Sequence, residues 1–174
     1  MPEGTRARAL LWRGLFCYST FMTKYIGTAL VALLGGMLIG GYLFSDTKPR
    51  SILRAPACQE LCFNQEEILG LLSSIGVQRL SGIIPFVQKE TDKTIAIRHP
   101  FPQADIHYVI VPKKDIRAVE DISEEDAAYV VDAYAVMAEL IEEQNLRNYK
   151  IVVNGPGFQT VGYLHFHLVS ELPE

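Results

Sequence analysis

Residues Phe158–Val169, FQTVGYLHFHLV, decide the predicted fold and the predicted site of this 174-residue chain. The alternation of side chains along this stretch predicts one β-strand with an apolar and a polar face. The apolar face, suited to a core, consists of Leu164, Phe166 and Leu168. The polar face consists of Tyr163, His165 and His167. Side chains two positions apart on a strand lie about 7 Å apart, so the two imidazoles can flank one ligand group such as a phosphate or a metal.

A glycine-rich turn, Asn154-Gly155-Pro156-Gly157, precedes the stretch, and Gln159 and Thr160 follow the turn. The amide and hydroxyl groups can donate hydrogen bonds to anionic oxygens. Asn154 and Gly155 also fit a turn that needs left-handed backbone angles. A role in this turn and a role in binding anionic oxygens are compatible.

These residues resemble the histidine-triad (HIT) nucleotide hydrolases and transferases. The chain matches the pattern N-G-x-G-x-Q-[ST]-V-x-x-φ-H-φ-H-φ-φ, where φ is apolar, and Pro102–Lys114, PQADIHYVIVPKK, is similar to a second family segment. The family signature is H-φ-H-φ-H-φ-φ, whereas this chain has Y-L-H-F-H-L-V, so Tyr163 stands at the first histidine position. The resemblance covers Ile84–Glu171.

The resemblance implies a chemistry. His165 would attack an α-phosphorus and form a nucleotidyl-histidine that water then hydrolyses, since imidazole is a good neutral nucleophile near pH 7. His167 would donate to a phosphoryl oxygen or to the leaving group. The non-bridging oxygens would be bound by Asn154, Gln159 and Thr160. A purely structural His165 is the alternative.

Two further histidines bear on the site. His107 matches a family histidine before the third strand. It is either part of the site, or a histidine that only supports the site from behind or lies on the surface. His99 stands where the family has an acidic residue that holds the ribose hydroxyls, which leaves the nucleoside preference open. The chain is therefore either a hydrolase of phosphoramidates, mixed anhydrides or dinucleoside polyphosphates, or a catalytically weak nucleotide-binding or scaffold module.

We predict no metal and no other cofactor. Some family members bind zinc through C-x-x-C and two histidines that match His107 and the position of Tyr163. Here Cys58 and Cys62 form C-x-x-x-C and Tyr163 replaces a ligand, so the tetrahedral set is incomplete. Cys58 and Cys62 can either form a disulfide bond or remain two free thiols, and the sequence leaves both alternatives open.

The net charge of −4 and the pI near 5.6 argue against nucleic acid as a partner, which would require a basic face. The expected partners are a nucleotide-type small molecule, a membrane and, by the family resemblance, a second copy of the chain in a homodimer.

The membrane prediction rests on Tyr25–Phe44, which carries no charged residue and, as a helix, would span about 30 Å. An uncleaved anchor is favoured over a signal peptide, because the apolar run is long and no cleavage site follows closely. A buried core helix is the remaining alternative. Basic residues on both sides give a slight lean towards an inside N-terminus. Within the basic segment 1–24, residues 1–21 can also be an extension before Met22, and the Arg-rich start can instead be a targeting sequence.

The predicted order is segment 1–24, anchor 25–44, tether 45–63 and HIT-like domain 64–174 with a core at 84–171. A helix is predicted from Asn64 to Ile75 with Gly76 as its stop. The predicted strands are Ile83–Gln88, Thr94–Arg98, His107–Val111, Tyr149–Asn154 and Val161–Ser170. The main helix starts at a capping box of Ser123 and Asp126. Its predicted core-facing stripe is Ala127, Val130, Val131, Tyr134, Met137, Ala138 and Ile141. The fold class is α+β, an antiparallel sheet of about five strands with one main helix packed on it.

Overall fold

The computed structural model describes residues 25–53 and 63–171, and the chain forms two compact units, residues 1–45 and 46–174. Segment 1–24 and the cysteine pair Cys58 and Cys62 lie outside the described residues. The described part of the first unit is helix α1, Tyr25–Phe44, none of which is buried. By length and composition α1 can cross a membrane, a property that signal sequences share.

The second unit is an α+β domain, as predicted. Its helices are α2 (Gln65–Arg79) and α3 (Ala127–Glu143). Its strands are β1 (Val87–Glu90), β2 (Thr94–Arg98), β3 (Ile106–Pro112), β4 (Tyr149–Val153) and β5 (Phe166–Ser170). All neighbouring strands are antiparallel, in the order β1-β2-β3-β5-β4, so β3 and β5 are central.

The two faces of the sheet carry separate apolar clusters because successive side chains of a strand point to opposite faces. On one face α3 buries Ala133, Val136, Met137 and Leu140 against residues that include Ile110 and Leu168. The second cluster contains Val77 of α2, Ile95, Val111 and Tyr163. The second face is the one that carries the histidines.

The stretch Phe158–Val169 has the predicted apolar and polar faces, but it forms only part of the predicted strand. Leu164, Phe166 and Leu168 all lie in the α3 core. Pairing begins only at Phe166, opposite Ile110, so the strand predicted from Val161 starts five residues later. The earlier backbone groups bond elsewhere, because the N–H of Gly162 donates to the Glu66 carbonyl and that of Leu164 to the Ile116 carbonyl.

Helix α2 runs past the predicted stop at Gly76 and ends at Arg79. A helix-ending glycine usually takes a left-handed backbone, and among the described glycines only Gly157 has such an angle, φ +91°. Glycine within a helix costs about 1 kcal/mol relative to alanine. Burial of Val77 one residue later offsets that cost, since Val77 joins the second cluster.

The predicted stripe of α3 is wrong in part. Among its members, Met137 is buried, but Val131 is 67% exposed and Tyr134 is 50% exposed. The helix carries apolar residues on more than one face, so spacing alone could not identify the face that packs on the sheet. The capping box of Ser123 and Asp126 is present, and it begins a short 3-10 turn, Glu124–Asp126, ahead of α3.

Candidate active site

A cleft of about 340 Å³ lies on the second face of the sheet. Its walls are mostly apolar and include Val77, Ile84, Ile97 and Val109. The polar lining residues include Tyr163, His99, His165 and His167. A cleft with apolar walls and a few convergent polar groups is the usual form of a small-molecule site.

The four histidines of the chain form one continuous cluster beside this cleft. The rings of His99 and His107 stack in parallel with centroids 4.2 Å apart. The centroid of His107 lies 5.1 Å from that of His167, and His167 meets His165 edge to face at 4.9 Å. The structure thus brings together the two predicted catalytic histidines and both of the histidines whose roles were left open.

Hydrogen bonds define the tautomers of two of these rings. The backbone N–H of Gln103 donates to Nδ1 of His107 at 3.2 Å, so a neutral His107 carries its proton on Nε2. That Nε2–H lies 2.9 Å from Nδ1 of His167, which must accept. A neutral His167 therefore carries its own proton on Nε2, and it can donate this proton to a ligand in the cleft.

His165 is oriented by the main chain. Its Nδ1 lies 2.7 Å from the carbonyl oxygen of Tyr163, and because a carbonyl can only accept, Nδ1 carries the proton. The unprotonated nitrogen of a neutral His165 is then Nε2, in a ring that lines the cleft. The N–H on the other side of the same peptide unit, that of Leu164, donates to the Ile116 carbonyl at 2.7 Å. The orienting carbonyl is thus fixed from both sides.

The side chain of Tyr163 plays a different part from its backbone. The residue is 1% exposed, and its hydroxyl donates to the carbonyl oxygen of Pro112 at 2.9 Å. Burial is the main cause that raises the pKa of Tyr163, and the negative charge of Asp115 acts in the same direction. The hydroxyl therefore stays protonated and remains a donor.

Burial and mutual repulsion keep two of the imidazoles neutral. The pKa of His167 is lowered to about 4, first by burial and then by positive charge on His165, His107 and His99. Burial also lowers the pKa of His107, with further contributions from His99 and Lys150. At neutral pH His167 is therefore a neutral donor and not a fixed cation.

The loop residues predicted to bind phosphate oxygens occupy different places. Gln159 is buried, and its amide lies 3.3 Å from the Arg117 carbonyl oxygen and 3.5 Å from Oε1 of Glu66. Thr160 is exposed and Asn154 is half-buried, and the described lining of the cleft includes neither. The left-handed residue of the turn is Gly157, not Asn154 or Gly155.

No group of three or more His, Cys, Asp or Glu side chains that could hold a metal ion is found within residues 25–53 and 63–171. The same part of the chain does contain an ion-pair group that sequence reasoning missed. The side chains of Arg50, Glu67 and Asp115 are buried, and Arg117, whose side chain is 42% exposed, pairs with Glu67. Arg50 follows a proline in a stretch with several basic residues, so its sequence context gave no signal of burial.

An antiparallel five-stranded sheet, with His107 on β3, His167 on β5 and His165 just before β5 beside a cleft, defines the class as a HIT-like α+β protein. The HIT domain family matches residues 85–173, about half of the chain, and the chain belongs to this family.

Individual relatives agree. A HIT-like protein from Chlamydia pneumoniae is 36% identical over 87 residues, which cover 48% of this chain and 79% of that protein. The crystal structure of a HIT family hydrolase from Legionella pneumophila Philadelphia 1 is 29% identical, with a TM-score of 0.50, and the match covers 54% of this chain and 88% of that one. Adenosine 5'-monophosphoramidase HINT3 from Mus musculus is 26% identical over 88 residues, which cover 49% of this chain and 53% of that protein.

Proposed function

We propose that this chain is a membrane-anchored hydrolase of the histidine-triad type. It cleaves a nucleotidyl phosphoramidate, mixed anhydride or dinucleoside polyphosphate through a covalent nucleotidyl-histidine intermediate on His165. The observation that carries the proposal is the hydrogen bond from Nδ1 of His165 to the Tyr163 carbonyl, which leaves Nε2 as the nucleophilic nitrogen in the cleft. Family membership supports it, as does the relative whose name describes an adenosine 5'-monophosphoramidase.

The proposed reaction has two steps. In the first, the lone pair on Nε2 of His165 forms a bond to the α-phosphorus, and the bond from phosphorus to the leaving group breaks. The Nε2–H of His167 donates to a phosphoryl oxygen or to the departing group, as its neutral state at pH 7 allows. In the second step, water forms a bond to the same phosphorus while the bond from phosphorus to Nε2 of His165 breaks, which releases the nucleoside monophosphate and restores neutral His165. The proton that the water loses balances the proton that the departed group takes up.

The other residues have supporting parts in this proposal. His107 fixes the tautomer of His167, because its Nε2–H occupies the Nδ1 lone pair of that ring. His99 receives the N–H of Phe101 on Nδ1 at 3.0 Å, so when neutral it presents a donor and not a carboxylate at the expected ribose position. The apolar walls suit the planar base. Asn154, Gln159 and Thr160 remain proposed phosphate ligands, and for Gln159 that role requires release of its present amide contacts.

Two further parts of the proposal concern assembly. Helix α1 is proposed as a single-pass anchor, with a slight lean towards an inside N-terminus. The homodimer is supported by edge strand β4, which is exposed along its length and carries Tyr149, Ile151, Val152 and Val153. Such an edge suits pairing with a second copy.

A second candidate function is a catalytically weak nucleotide-binding module. It is favoured by the tyrosine at the first triad position, whose hydroxyl is committed to the Pro112 carbonyl. The two candidate functions are distinguished by an assay of the full-length protein in detergent, which measures hydrolysis of a fluorogenic adenosine phosphoramidate. Turnover that His165→Ala abolishes supports the hydrolase. Nucleotide binding by calorimetry without turnover supports the binding module and contradicts the hydrolase.

A further inference from the structure

The segment just beyond α1 contributes a side chain to the interior of the catalytic domain. The side chain of Arg50 is 1% exposed, although the residue lies in the stretch predicted to be a tether. A buried guanidinium is costly unless its charge and its donors are satisfied, so the contacts of Arg50 indicate what it stabilises.

Arg50 joins two carboxylates to the turn that precedes the histidines. Its Nη2 pairs with Oδ1 of Asp115, and its Nη1 lies 3.3 Å from Oε2 of Glu67. The same Nη1 donates to the carbonyl oxygen of Gly162 at 2.6 Å. Charged donors make short, strong hydrogen bonds, and the planar fork of arginine fixes their direction.

The surrounding contacts show that this carbonyl is held in a closely packed place. The N–H of Gly162 donates to the Glu66 carbonyl of α2 at 3.2 Å. A Cβ added at Gly70 would lie 2.5 Å from the Gly162 carbonyl oxygen and would also overlap Nη1 of Arg50. Helix α2, Arg50 and the turn therefore touch at one point where even a methyl group does not fit.

The turn held by Arg50 leads directly to the nucleophile. Gly162 precedes Tyr163, whose carbonyl accepts the Nδ1–H of His165. Segment 115–117 holds the other side of the turn through two backbone carbonyl groups. The carbonyl oxygen of Ile116 accepts a hydrogen bond from the Leu164 N–H, and that of Arg117 accepts one from the Gln159 side-chain amide. Asp115 belongs to this segment, so Arg50 links the two chain segments that orient His165.

We propose that Arg50 is a positioning residue for the phosphoryl-transfer reaction: by holding the Gly162 carbonyl and Asp115, it sets the Tyr163 carbonyl that orients His165. The inference rests on the proposed function for its kinetic consequence only. It also places the start of the working domain before Arg50, since the backbone N–H of Lys48 donates to Oδ2 of Asp115 at 2.8 Å. Cleavage between Arg50 and α2 would separate this guanidinium covalently from the site.

The test uses the full-length chain in detergent with Arg50→Ala, Arg50→Lys and Gly70→Ala. Gly70→Ala disturbs the same contact without changing any charge. The matched control is Lys89→Ala, which also removes a cation between two carboxylates, Glu139 and Glu143, both at 2.6 Å but on the surface. Circular dichroism establishes which variants are folded.

The first measurement needs no turnover. With ¹⁵N-labelled histidine at about pH 8, where unperturbed imidazoles are neutral, the four side chains give few signals and report their tautomers. We expect His165 to be protonated on Nδ1 in the wild type and to gain the Nε2–H tautomer in Arg50→Ala. An unchanged tautomer in a folded Arg50→Ala protein would overturn the proposal, even if the wild type proves to be inactive.

The second measurement is steady-state hydrolysis of the adenosine phosphoramidate. We expect kcat to fall at least tenfold in Arg50→Ala with KM within threefold of wild type, and to fall less in Arg50→Lys, which keeps the positive charge on a single donor nitrogen. Gly70→Ala should follow Arg50→Ala, and Lys89→Ala should match wild type. Wild-type kcat in a folded Arg50→Ala protein contradicts the proposal. If Arg50→Ala does not fold, wild-type kcat in both Arg50→Lys and Gly70→Ala contradicts it instead.

Discussion

Replacing Tyr163 by phenylalanine separates the two parts that this residue plays. The change keeps the backbone carbonyl that orients His165 and removes only the hydroxyl that donates to Pro112. The Pro112 carbonyl is buried, and loss of its donor leaves an acceptor without this bond. Leaving a buried polar group unsatisfied costs about 1–3 kcal/mol, so the free energy of unfolding should fall by about that amount. We expect kcat to stay within threefold of wild type.

The assay is urea unfolding of the full-length protein followed by circular dichroism, together with steady-state kinetics on the phosphoramidate. Tyr134→Phe is the control, because that ring is half exposed and its substitution should change neither quantity much. A Tyr163→Phe protein that keeps its stability and loses kcat tenfold or more would refute the reasoning. It would show that the hydroxyl acts in catalysis and that the carbonyl alone does not account for the site.

Three further predictions concern other parts of the chain. Ser123→Ala should lower the free energy of unfolding by about 1 kcal/mol through loss of the capping box, and an unchanged melting temperature would contradict this. The lowered pKa of His167 means that the unfolded chain binds the proton more readily, so stability should fall as pH decreases from 6.5 to about 4. In His167→Gln the free energy of unfolding should fall less steeply with decreasing pH. Equal pH dependence of the two proteins in urea titrations would count against the lowered pKa of His167. The full chain should stay with membranes in alkaline carbonate because Tyr25–Phe44 satisfies its own backbone in lipid, whereas release would argue against an anchor.

The sequence was sufficient for the features that repeat along an element. The alternation assigned Leu164, Phe166 and Leu168 to the α3 core and Tyr163 to the opposite cluster, although Tyr163 and Leu164 lie before the start of β5. The family signature located the HIT domain, since its residues are consecutive in sequence. Ser123 and Asp126 were identified as a cap because capping is a contact between near neighbours.

The features that depend on distant contacts could not be predicted. Helix α2 continues past Gly76 because Val77 is buried by residues of the sheet, a contact that local propensity does not contain. Strand β5 starts late because Gly162 bonds to α2 and not to a neighbouring strand. Arg50 is buried by partners that lie 17, 65 and 112 positions away in sequence, so neither composition nor spacing indicated its role.

Capture of a nucleotidyl adduct tests the central claim most directly. The full-length chain is incubated briefly with the adenosine phosphoramidate, quenched at alkaline pH, where an N–P bond to histidine survives, and digested for peptide mass spectrometry. We predict one added nucleotidyl group on the peptide that contains His165, and none in His165→Ala. Turnover without an adduct on this peptide, or undiminished turnover in His165→Ala, would contradict the assignment of His165 as the nucleophile.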